Sequence, residues 1–308
     1  MNYLLTYLKG LAMGAADVVP GVSGGTIAFI TGIYDHLLES IRRINPSLWS
    51  IYRQQGLKGV TEHINGGFLL SLLAGILTSI FTLAKLISWL LANHPIPVWS
   101  FFFGLILVSV YHMLRQVQGG FSLSRLGLFA LGALIAWGIT VANPGQVDAS
   151  YLNIFFGGAI AICAMILPGI SGSFILLMLG LYPAVLGAAK NLQLDILACF
   201  AVGAIIGILC FSHLLSMLLK RFRDATLVFL TGLMMGTLGK IWPWKQTLSW
   251  RTNSHGEKVP WQQQDLSPFS YEQLTGHSHQ LMFAVVCAIA AIVLVLALDY
   301  MGNRMRKV

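Results

Sequence analysis

The chain has 308 residues, of which 56% are hydrophobic and only 10% charged. A soluble globular chain carries about 25% charged residues, so this one lacks the polar side chains to cover a water-facing surface and reads as a polytopic membrane protein. Its net charge of +8 does not point to nucleic acid, because the Lys and Arg residues fall in short clusters between apolar runs, the pattern of membrane orientation signals.

The N-terminus, "MNYLLTYLKGLAMGAAD", superficially resembles a secretory signal. It lacks a basic leading region, and Lys9 interrupts its apolar run, so it reads as mature structure. The first apolar region, 2–41, carries a break at "VVPGVSGGTIAFITGIY". Uninterrupted apolar segments follow at about 68–91, 97–114 and 122–142, each near the ~20 residues a spanning helix needs. A second broken region, 151–189, contains "ILPGISGSFILLMLGLY", and three further spans are expected at about 196–219, 225–242 and 280–299. Cys163, Cys199, Cys210 and Cys287 all lie inside apolar segments, at no metal-binding or disulfide spacing. Neither cofactor nor metal is expected. His255, His277 and His279 read as plain residues of the long hydrophilic connection 243–279.

Lys and Arg in short loops mark the cytoplasmic side. Arg42, Arg43, Arg53 and Lys58 lie in the 42–66 connection, and Arg115 and Arg125 flank the third. The connection at 220 reads "KRFRD" and the tail reads "NRMRKV", while 92–96 and 143–150 have no basic residue. These clusters share one side only if each broken region crosses the membrane zero or two times. Each break therefore reads as a re-entrant hairpin or a tight pair of short helices, with both termini cytoplasmic. Unpaired backbone polar groups cost several kcal/mol each in lipid, so such backbone must be buried in protein or line a wet cavity.

The two breaks align. Pro20, Gly21, Ser23, Gly24, Ile27, Gly32 and Tyr34 match Pro168, Gly169, Ser171, Gly172, Ile175, Gly180 and Tyr182; further on, Gly75 matches Gly203 and Gly104 matches Gly232. The chain reads as two copies of one unit, 1–142 and 151–308, each a broken hairpin followed by three spans. Because three is odd, the copies must face opposite ways. The expected architecture is an all-α polytopic membrane protein with an inverted-topology repeat. Matching broken helices in two inverted halves point to a transporter with its site near the midplane.

Pro ends one helix and Gly reaches positive φ. The residues that follow would open the next helix, whose first N–H groups lack partners and whose dipole is positive. That is anion chemistry, suited to phosphate. The candidate cradle is Pro20, Gly21, Ser23, Gly24, Gly25 and Thr26 with Pro168, Gly169, Ser171, Gly172 and Ser173. A helix cap with packing glycines is the plainer alternative. Lys85 and His213, at matching positions, are candidate supporting charges, unless each snorkels to water. Asp17, whose counterpart is Met165, is a candidate proton carrier. No convergent set of nucleophile, acid and base lies within the apolar parts, so an enzyme acting on lipid phosphate is the weaker alternative and no catalytic residue is assigned. A transporter or channel for a small anion or solute is another.

"ADVVPGVSGGTIAFITGIYD" and "PGISGSFILLMLGLY" resemble the PopT-type family of bacterial membrane proteins, and the resemblance covers nearly the whole chain. It implies transport of undecaprenyl phosphate, the C55 lipid carrier of cell-envelope glycans, across the bacterial inner membrane, from the outer leaflet back to the inner. It implies membrane lipid as partner and no nucleic acid; a homo-oligomer stays open. It assigns no binding residues.

Overall fold

The computed structural model of the chain describes residues 2–19, 22–120, 122–142, 145, 147–252 and 258–305. Helix dominates. The first broken region is α1 (Tyr3–Asp17), α2 (Gly24–Ile30) and α3 (Tyr34–Arg42), followed by a surface helix α4 (Leu48–His63), kinked at Gly56. The helices α5 (Gly66–Asn93), α6 (Pro95–Arg115) and α7 (Leu123–Val141) come next. The second broken region is α8 (Tyr151–Ile166), α9 (Gly172–Met178) and α10 (Tyr182–Lys190). It leads into α11 (Leu194–Arg221) and α12 (Arg223–Gly236). The long connection carries a two-stranded antiparallel sheet, β1 (Lys245–Thr252) and β2 (Lys258–Asp265), then α13 (Pro268–Thr275), before α14 (Leu281–Met305).

Among the described residues, four single helices are long and apolar enough to cross a membrane: α5, α6, α7 and α11. At 28 residues each, α5 and α11 reach about 42 Å, more than the ~30 Å of a hydrocarbon core. Leu70, Leu73, Leu77 and Phe81 on α5, and Val202, Ile205, Ile206 and Met217 on α11, are exposed; facing lipid, they need no protein partner. The span expected at 225–242 is shorter as an α-helix. It ends at Gly236 and continues as a 3-10 turn, Leu238–Ile241. The long connection was expected as plain loop, and its sheet is an addition to an otherwise helical fold.

Glycines set which helices touch. A side chain at Gly10 would strike the Leu72 carbonyl, and one at Gly75 the Tyr7 carbonyl, so α1 lies directly on α5. In the same way Gly158 meets the Phe200 carbonyl and Gly203 the Phe155 carbonyl, seating α8 on α11. Each of these contacts maps onto its partner by the sequence alignment of the two halves. Gly132, Gly232 and Gly236 bring α7 against α12, and Gly104 brings α6 against α14. Third helices thus pack on second helices of the other half, binding the halves together. Small residues are what allow such close approach where lipid supplies no hydrophobic drive between helices.

The second bend in each broken region has a common cause. Gly32 (φ 69°) and Gly180 (φ 76°) both adopt the left-handed region that ends a helix. Ile33 N–H donates to the Ala28 carbonyl at 2.9 Å and Leu181 N–H to that of Leu176 at 3.0 Å, the bond that accompanies this cap. α9 and α10 meet at 112° across it.

One end of the helix array gathers the charges. Glu39 binds Arg42 (2.6 Å), Arg43 (3.6 Å) and Lys220 (2.9 Å), Asp35 binds Arg223 (3.2 Å), and Asp224 binds Arg125 (2.9 Å). Hydrogen bonds from Arg42 and, after it, Lys220 hold the Glu39 carboxyl down at about 2, against the opposing effect of burial. The connections that sequence separates by some 180 residues are therefore joined by ion pairs spanning both halves.

Candidate functional site: the meeting of two broken hairpins

The first hairpin break sits against the second. Ser23 caps α2 by accepting from Gly25 N–H at 3.1 Å, and its hydroxyl donates to the carbonyls of Met165 (2.9 Å) and Leu167 (3.2 Å). Thr26 Oγ1 accepts from Gly169 N–H at 3.0 Å, and Tyr34 donates to the Ile166 carbonyl at 3.2 Å. Ser23 and Thr26 are 0% exposed and Tyr34 3%. Gly25 leaves no room for a side chain, since a Cβ there would strike the Ile166 carbonyl. The carbonyls left open where α8 ends are satisfied by hydroxyls from the other half of the chain, as buried backbone groups require.

The described polar groups of the first motif are thus engaged with protein partners. Even the Gly24 N–H is taken, donating to Asp17 Oδ1 at 2.7 Å. Asp17 stands where an anion at the end of α2 would sit, and its counterpart Met165 packs against Gly172 instead. Pro20 and Gly21 lie outside the described residues.

The second motif is arranged differently. Gly169 (φ 89°) turns the chain tightly against Met234 of α12. Ser171, at the N-cap of α9, makes no capping bond; its hydroxyl pairs with that of Ser173 at 2.9 Å. Two hydroxyls that share one hydrogen bond retain one proton free to donate. Ser171 lines a small, partly open pocket, with room for little more than a water, between this hairpin tip and the far ends of α7 and α12. Thr140, Thr237 and Lys240 face the same space, with Gly169 and Phe174. Lys240 places its ammonium 4.8 Å from the centre of the Phe174 ring. Pro168 and Gly172 are buried beside the tip, and Ser173 is exposed.

Lys245 supports this turn. Its ammonium donates to the Lys240 carbonyl at 2.7 Å and lies 3.8 Å from Asp265, which faces it across the β-sheet. Burial pushes its pKa down to about 8; Asp265 acts against that and Lys240 reinforces it.

Lys85 and His213 do not join the site. Both lie on exposed faces of α5 and α11, outside the pocket lining, and His213 Nδ1 is 2.8 Å from the carbonyl of Leu209 on its own helix. Sequence reasoning passed over Lys240, Lys245 and Thr237. Lys240 carried a usable signal: an ionisable residue inside the apolar run "TGLMMGTLGKIWPW" is a functional candidate by its cost alone.

Helices long enough to span lipid and two broken hairpins meeting among them by hydrogen bonds between the halves define the class: a multi-pass membrane transporter. The model of the VCA0040-like family, described as undecaprenyl phosphate translocase-like, matches residues 13–259, and the chain belongs to that family. The chain is 67% identical to a polyprenyl-phosphate transporter of Vibrio cholerae, over 97% of both chains. It is 32% identical to one of Staphylococcus aureus, over 78% of this chain and 86% of that protein. No solved structure matches it. The family is one of transporters rather than enzymes.

Proposed function

We propose that the protein translocates undecaprenyl phosphate across the bacterial inner membrane, returning it to the cytoplasmic leaflet for reuse in cell-envelope synthesis. The observation that carries the reading is the junction of the two Pro-Gly-x-Ser-Gly hairpins, where hydroxyls of one half bond the backbone of the other. The family and the names of both relatives support the lipid phosphate as cargo. The halves act as inverted repeats, which the matching glycine contacts of α1–α5 and α8–α11 support. The charged end, rich in Lys and Arg, faces the cytoplasm.

A lipid phosphate has an anionic head that needs polar partners and an apolar tail that can stay in lipid. Parting the junction would free the Ser23 and Thr26 hydroxyls and the Gly169 N–H for the head, while the tail trails between helices. Asp17 would then share the Gly24 N–H with phosphate, and protonation of Asp17 would remove their repulsion. The test replaces Ser23 and Ser171 with leucine, separately, and measures surface-exposed undecaprenyl phosphate in cells making normal amounts of protein. Accumulation at the outer surface is expected; normal exposure in both variants would overturn the junction's role.

A further inference from the structure

We infer that the pocket between the tip of the second hairpin and the 3-10 turn after α12 receives the phosphate head of the lipid, with Lys240 as its charged partner. This rests on the reading of a polyprenyl phosphate as cargo, and the head enters as the small pocket seen here widens. Three observations carry it.

The first is position. α7 and α12 run in parallel, as Gly132 against Phe229 and Gly236 against Ala133 show. Both begin at the charged end, where Arg125 binds Asp224. The pocket lies at their other ends, with Thr140 and Thr237, on the side of the long connection. The junction of the hairpins seals the path toward the charged end, since Ser23, Thr26 and Tyr34 are closed on the second hairpin. A head entering from the side of the long connection meets this pocket before the seam.

The second is chemistry. A phosphate monoester carries about −1.5 to −2 charges and three strong acceptor oxygens at pH 7. The pocket offers an ammonium, and a hydroxyl proton from the Ser171–Ser173 pair. Thr140 and Thr237 now donate to the carbonyls of Trp137 (2.7 Å) and Met234 (2.8 Å), one turn back on their own helices; rotation about χ1 redirects each proton. Lys245 adds a second positive charge behind Lys240, balanced in part by Asp265.

The third is that Lys240 forms no ion pair among the described residues; its ammonium rests on an aromatic face. A lysine held over Phe174 at the edge of an apolar helix layer is desolvated, with only Asp265, which Lys245 also engages, as a distant counter-charge, and a phosphate supplies a direct one. Ile139, Ile170 and Phe174 complete the lining, leaving an apolar wall for the first isoprene units next to the head.

The experiment uses the purified full chain in nanodiscs, titrated with a polyprenyl monophosphate, with the matched unphosphorylated polyprenol, and with inorganic phosphate. Tryptophan fluorescence reports binding, because Trp242 and Trp244 pack together just past Lys240. Lys240→Met is expected to weaken polyprenyl phosphate binding about ten- to a hundredfold, the worth of one charged hydrogen bond. Lys240→Arg should stay within a few-fold of wild type. Thr237→Val, nearly isosteric, should lose a few-fold and keeps the question open to test if Lys240→Met does not assemble. Wild-type affinity in both Lys240→Met and Thr237→Val, with binding and transport intact in the parent, would overturn this assignment and leave the transport reading standing. A parent that binds no polyprenyl phosphate would overturn both. Equal affinity for inorganic phosphate would make the pocket a free-anion site and reject the lipid head as its occupant.

Discussion

The two hairpins carry nearly the same letters and do different work. In the first, every motif hydroxyl is buried and bonded to protein, and Gly25 touches the backbone of the opposite half. In the second, the residue at the position of Gly25 is Ser173, which is exposed and has room for its side chain, and Ser171 faces a pocket. In the function proposed above, one copy is a latch and the other a mouth. A transporter built from inverted repeats, as proposed here, must break its symmetry in any single state, because a site open to both sides at once would leak. The departures from the repeat (Asp17 against Met165, Gly25 against Ser173) show where that asymmetry is written into the chain.

The comparison breaks most sharply at Gly25. Gly25→Ala places a Cβ against the Ile166 carbonyl, and forcing a methyl into packed backbone costs about 3 kcal/mol. Ser173→Ala, at the matching position, should change stability by less than about 0.5 kcal/mol, as exposed substitutions do. Unfolding in detergent micelles measures both, and equal losses would dissolve the distinction between latch and mouth.

Serines test the same contrast more gently. Ser23→Ala removes the cap of α2 and leaves buried carbonyls unpaired, a loss of about 2 kcal/mol. Ser171→Ala removes one exchange between hydroxyls and should cost under about 1 kcal/mol. Its expected effect is on lipid phosphate binding instead. A larger stability loss at Ser171 than at Ser23 would reverse the roles assigned here.

The smallest expected effect lies at the charged end. Glu39→Gln loosens the ties to Arg42, Arg43 and Lys220 and should cost about 1 kcal/mol or less. Because the Glu39 carboxyl titrates at about 2, below its usual 4.5, its contribution is complete above about pH 4.5. The contribution fades as pH falls toward 2, where the carboxylate becomes protonated in the folded state. Stability curves of the parent and the Gln variant should converge over that interval; a gap that persists at pH 2 would show that the charge is not what ties the two halves there.

Much of the architecture was legible because its causes are local. Apolar runs of spanning length, Pro-Gly breaks, glycines at matched positions and the sorting of Arg and Lys all leave marks along the chain, and α5, α6, α7 and α11 follow the expected spans closely. The ends of α12 and the sheet after it were less so, since "LGKIWPW" remains apolar while its backbone leaves the α-helix. The motif residues determined that both hairpins must break and that their polar groups need partners. Only the tertiary structure decided who the partners are. Ser23 reaches Met165 and Thr26 reaches Gly169, more than 140 residues away, and Lys240 meets Ser171 across a pocket formed by three separate helices. A sequence states which groups must be satisfied, through burial and bonding capacity. Which group satisfies which depends on how the helices cross, and that is settled by side-chain contacts between segments that the chain order keeps far apart.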